Sequence, residues 1–96
     1  MLKPYDQVER MSEQDYGPWI DRLSLFEIGG KVYVKEEFGY SKPYDENWYE
    51  ANAKPTVKLE DQFGQCGGGF CGGGEPDFIA EELGVELTEC EDPTDD

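Results

Sequence analysis

The sequence predicts an α+β fold: a three- to four-stranded, mainly antiparallel sheet with two or three short helices. Three observations point there. Gly29-Gly30 lies between two arms rich in β-branched and aromatic residues. Residues 75–84 run from a helix-opening proline to a helix-closing glycine with an apolar face between them. Residues 56–63 alternate Val57, Leu59 and Asp61 against Lys58 and Glu60, the period of a strand. The 96 residues are read as one domain, 1–96. Its core candidates are Trp19, Ile20, Leu23, Leu25, Phe26, Ile28, Val32, Val34, Trp48, Val57, Leu59, Phe78, Ile79, Leu83, Val85 and Leu87.

The elements follow in order. Residues 4–24 read as an interrupted helix. Pro4 suits a first helical position, and Ser12 with Asp15 three residues on resembles a capping box. Gly17-Pro18 breaks the pattern. Pro18 then opens a short helix over residues 19–23, with Trp19, Ile20 and Leu23 on one face. Residues 24–38 read as a β-hairpin. Leu25 to Ile28 form one arm, and Gly29-Gly30 form a two-residue turn with φ > 0. Lys31 to Lys35 form the other arm, with Val32 and Val34 inside. Residues 39–55 form a connection with a helical turn at residues 45–51, and residues 56–63 supply the third strand.

Residues 64–74 hold seven glycines and two Cys-Gly-Gly-Gly units, a flexible loop by composition. In residues 75–88, Pro76 starts a helix whose positive end suits Glu75 and Asp77. Phe78, Ile79 and Leu83 form its buried face, and Gly84 closes it. Val85 to Thr88 form a short strand. Residues 89–96 read as a frayed acidic tail.

Charge is the strongest functional signal. Asp and Glu number 23, Lys and Arg 8, for a net charge of −15. Residues 61–96 contain eleven acids and no base. Such a field repels nucleic acid and anionic membranes, so neither is an expected direct partner. It attracts basic proteins over about 8–10 Å at physiological salt. Solubility alone needs a net charge of only about 2–8 in magnitude. Salt adaptation fits poorly, because the chain keeps six Lys against two Arg and prefers Glu to Asp. No secretory leader is visible, and no apolar run approaches the roughly 18 residues of a membrane span. The three cysteines cannot complete a disulfide framework within one chain, so a reducing, cytoplasmic setting is expected.

Chemistry has little to stand on. Histidine is absent, which removes the commonest general base. The glycine run lacks the lysine of a phosphate-binding loop. Cys66, Cys71 and Cys90 give three thiols where tetrahedral zinc takes four ligands. An acid such as Asp92 or a second chain would have to complete that site. A Cys66–Cys71 disulfide and free thiols are the other readings. Neither catalysis nor a cofactor is expected.

The acids remain. Carboxylates at i and i+4 of a helix lie about 6 Å apart, and at i and i+2 of a strand about 6.6 Å. Both approximate the phosphate spacing along a nucleic-acid strand, about 7 Å. Asp77 with Glu81, Glu82 with Glu86, and Glu9 with Glu13 fit the first pattern; Glu89 with Glu91 fits the second. The partner-binding set is therefore Glu75, Asp77, Glu81, Glu82, Glu86, Glu89, Glu91 and Asp92. Tyr5, Tyr16, Tyr40, Tyr44, Tyr49 and Trp48 are candidate rigid anchors.

In small size, absence of bases over residues 64–96, abundance of Tyr and Trp, and α+β pattern, the chain resembles the acidic inhibitors encoded by phages and mobile elements. These include anti-CRISPR and anti-restriction proteins, many of which mimic nucleic acid. The resemblance is one of type, spans the whole chain and rests on no family motif. It implies a basic partner with a DNA- or RNA-binding groove. The other reading of the same charge is an acidic adaptor that binds a basic protein without mimicry.

Overall fold

The computed structural model describes residues 3–42, 44–63 and 76–94. Its first element is a strand, β1 (Asp6–Gln14), paired antiparallel with β2 (Gly17–Ile28) from Asp6↔Leu25 to Gln14↔Gly17. The helix expected over residues 4–24 is thus replaced by two strands. An i, i+4 pair such as Trp19 and Leu23 shares a face in a helix and in a strand alike, so the spacing could not separate them. In β1 the abundant Glu, Gln and Met favour a helix by propensity, but pairing along the whole length of β2 outweighs that preference.

The hairpin stands as read. β2 joins β3 (Lys31–Gly39) through Gly29 and Gly30 at φ +58° and +84°, and Ile28↔Lys31 closes the ladder. Both φ values are positive, which two-residue turns of type I′ require. β4 (Asp45–Ala51) then pairs with β3, where a helical turn had been expected. β5 (Leu87–Cys90) pairs antiparallel with β4 and runs two residues beyond the expected Thr88. The sheet is therefore five-stranded, one more than the upper expectation, in the order β1-β2-β3-β4-β5.

Direct antiparallel partners share a face, so the register sorts the sheet. Val8, Leu23, Leu25, Val34, Tyr49 and Leu87 lie on one face. Glu9, Arg22, Ser24, Phe26, Lys35, Glu37, Trp48 and Cys90 lie on the other. The chain between β4 and β5 crosses the first face as α1 (Leu59–Phe63) and α2 (Pro76–Leu83). The strand expected over residues 56–63 is thus a turn followed by a short helix. Val57 and Leu59 still point to the core, but from above the sheet. α1 packs on β1 and α2, and α2 packs on β5. Leu59 and Ile79, both fully buried, join Leu23, Leu25, Val34, Tyr49 and Leu83 in one cluster. Each such aliphatic side chain contributes about 1.5–3 kcal/mol by burial.

One hydrogen bond ties the ends of this arrangement together. The backbone N–H of Leu59 donates to Asp6 Oδ2 at 2.9 Å, so a β1 carboxylate caps α1.

Candidate acidic interface

α2 presents its acids because its other face is committed. Ile79 and Leu83 are buried and Phe78 is half-buried, which turns Asp77 and Glu81 to solvent, one helical turn apart. Glu82 is half-buried. The helix stops in a Schellman motif. Gly84, at φ +70°, donates its N–H to the carbonyl of Glu81 at 3.2 Å, and Val85 donates to that of Ala80 at 3.1 Å. Glu86 lies beyond this reversal, so Glu82 and Glu86 are not a helical i, i+4 pair as the spacing suggested. Asn52 holds Glu86 instead. Its N–H donates to the Glu86 carbonyl at 3.0 Å, and its Oδ1 accepts the Glu86 N–H at 2.9 Å.

β5 follows. Leu87 packs against the core while Glu89 is exposed. Glu91 is exposed too, but the strand ends at Cys90, so the Glu89–Glu91 pair straddles its end. Asp92 is half-buried and partly engaged: its Oδ1 accepts the N–H and the hydroxyl of Thr94 at 2.8 and 2.5 Å. Glu89, Glu91 and Asp92 meet Glu46, Asn47 and Trp48 around an open groove of about 440 Å³. Glu81 and Glu82 border a second groove against residues 53–57. Glu75, Cys66 and Cys71 lie outside the described residues.

The bases are deployed elsewhere. Arg22 bridges Glu9, through its Nε at 2.8 Å, and Glu37 at 3.4 Å. Lys35 reaches Glu37 at 3.7 Å and Glu46 at 3.3 Å. Lys31 pairs with Glu50, and Lys54 with Glu27. Burial tends to lower the Arg22 pKa, but the hydrogen bond and charge of Glu9, with Glu37 behind them, leave it raised. All these acids precede Leu59. Among the described residues, none of the carboxylates from Glu60 to Asp92 forms an ion pair. The sequence did not single out Glu46, because only the β4–β5 pairing brings it beside residues 89–92.

Of the expected anchors, Trp48 and Tyr49 are each only 5% exposed and serve the fold. Trp48 packs against Phe26 at 5.2 Å between ring centroids, with Lys35 Nζ 5.4 Å from its ring. Tyr5 lies under Lys54, and Tyr44 under Arg22. Tyr16 and Tyr40 do face solvent, joined edge-on to each other, and Tyr40 also meets Trp19 edge-on. Cys90 is a free, half-buried thiol beside Trp48 on the same face. Its pKa is pushed up by burial, then by Glu50 and Asp92. Among the described residues, no three Cys, Asp or Glu side chains are placed to hold a metal ion. No helix there is long and apolar enough to cross a membrane.

The arrangement offers a run of carboxylates suited to Lys and Arg. Comparison with protein-family models, curated proteins and solved structures finds no match to the chain.

Proposed function

We propose that the protein is an inhibitor that occupies a basic nucleic-acid-binding surface of a partner protein, its carboxylates standing where phosphates would lie. One observation carries this reading. Among the described residues from Leu59 onward, the acids are exposed or half-buried and none pairs with a base, while Arg22, Lys31, Lys35 and Lys54 pair with acids of the earlier strands and turns. A fold that needed charge only for solubility would gain nothing from this segregation, which raises self-repulsion. The contacts are Asp77, Glu81, Glu82, Glu86, Glu89, Glu91 and Asp92, with Glu75 as their neighbour in sequence. The partner is a Lys- and Arg-rich protein of the cytoplasm in which the inhibitor works. The protein itself binds neither nucleic acid nor membrane and performs no catalysis.

The test begins with a partner captured from lysate and eluted by salt. Asp77→Lys, Glu81→Lys and Glu82→Lys together abolish its binding while the fold remains, because like-charge contacts at an interface cost several kcal/mol. Wild-type affinity falls steeply between about 50 and about 500 mM salt, and nucleic acid competes for the same partner surface. A triple variant that binds at wild-type strength, or an affinity indifferent to salt, refutes the proposal.

A second reading, an adaptor, draws on Tyr16 (86% exposed), Met11 (65%) and Tyr40 (42%), apolar surface outside the acidic stretch. It predicts a ternary complex with nucleic acid in place of competition.

A further inference from the structure

We infer that the open edge of β5 receives an extended segment of the basic partner as a sixth strand, with Lys or Arg at alternate positions. The inference rests on the reading of the acidic stretch as a binding surface and specifies how that surface is engaged.

The hydrogen-bond pattern defines the edge. The Asn52 N–H bonds the Glu86 carbonyl. In an antiparallel ladder both backbone groups of a residue face the same neighbour, and the side alternates along the strand. Residues 86, 88 and 90 therefore address β4, and Leu87 and Glu89 turn their N–H and C=O groups outward. Among the described residues β5 pairs with β4 alone, so this row of donors and acceptors is open to strand addition.

Charge selects the occupant. Glu86, Glu89 and Glu91 are exposed along this edge, and no base lies on it. Glu89 and Glu91 are two residues apart, so an added strand would bring side chains at its own i and i+2 positions to them, about 6–7 Å apart. The opposite edge of the sheet does not offer this. β1 mixes Glu9 with Arg10, and α1 packs against it. A groove lies beside β5. Trp48 is part of its wall and only 5% exposed, yet its indole N–H has no acceptor among the described residues.

The experiment uses the full chain and an extended peptide, acetyl-Arg-Val-Arg-Val-Arg-amide, in calorimetry. On an added strand the residues opposite Glu89 share its face and point their N–H groups at β5; the intervening residues point theirs away. Methylating the arginine nitrogens leaves the charge intact but removes the bonds to β5, and weakens binding at least about tenfold. Methylating the valine nitrogens changes it less than about twofold. Amide exchange of Leu87 and Glu89 slows on binding the parent peptide. If both methylated peptides bind like the parent and exchange is unchanged, strand addition is overturned while the electrostatic reading survives. If the parent peptide shows no salt-sensitive binding at all, both readings fall.

Discussion

Replacing Asp6 by Ala removes a side-chain bond that fastens α1 to the first strand. Leu59 is fully buried, and its N–H donates to Asp6 Oδ2 at 2.9 Å. Loss of a helix cap costs about 1 kcal/mol, and a buried donor left without an acceptor about 1–3 kcal/mol. The two describe the same lost bond and are not summed; about 1–2 kcal/mol is expected. For a domain of this length each kcal/mol shifts the melting temperature by about 4–8 °C, so Asp6→Ala should melt about 4–16 °C lower. A five-residue helix cannot hold itself in water, so no local stability compensates. Asp6→Asn is the control. It keeps a carbonyl oxygen in place and removes the same negative charge, so any relief of charge repulsion is common to both variants. Thermal and urea unfolding followed by tryptophan fluorescence measures the difference. If Asp6→Ala melts no lower than Asp6→Asn, the cap does not secure α1 and the reasoning fails.

Gly30→Val should destabilise by about 1–3 kcal/mol through backbone strain, since φ is +84° and nothing crowds its Cβ; Gly30→Asn should cost far less, and equal melting of the two would count against strain. Cys66→Ser with Cys71→Ser should leave melting and partner binding almost unchanged; stoichiometric zinc in protein purified without added metal, with melting lowered by chelator, would contradict this. In that double variant the remaining thiol, Cys90, should react more slowly than free cysteine at about pH 8, because burial and then Glu50 and Asp92 raise its pKa. The unfolded chain then loses its proton first, so this contribution to stability is whole below the ordinary thiol pKa and declines as pH rises through the folded value. Chemical denaturation across pH 7–10, compared with a Cys90→Ser chain, reads that slope; one of opposite sign would overturn the assignment.

What the sequence revealed depended on how local the signal was. The Gly29-Gly30 turn and the Pro76 to Gly84 helix are encoded within a few residues, and both appear where expected. β1, β4 and α1 are not encoded so locally. Asp45–Ala51 combines good helix formers with adjacent Trp48 and Tyr49, one buried on each face of the sheet, so no alternation shows. Residues 57 and 59 alternate like a strand, but they descend onto the sheet from a turn and the start of α1. The exposure of Asp77 and Glu81 followed from the apolar face of α2. The proximity of Glu46 to Glu89 depends on a strand pairing across some forty residues, beyond any local pattern.

The order of the strands also bears on how the chain assembles. β1 to β4 are sequence neighbours joined by short connections, so each pairing closes a small loop. β5 reaches β4 only after a long excursion, and Asp6 meets Leu59 across 53 residues. Loop-closure entropy must be overcome before such distant contacts reward it. The four-stranded meander is therefore expected to form first, with the helical layer and β5 docking last. During synthesis the acidic segment also leaves the ribosome after the meander. Until it docks, Leu23, Leu25, Val34 and Tyr49 remain uncovered, so the segment that carries the charges is also the one that ends the chain's exposure to aggregation.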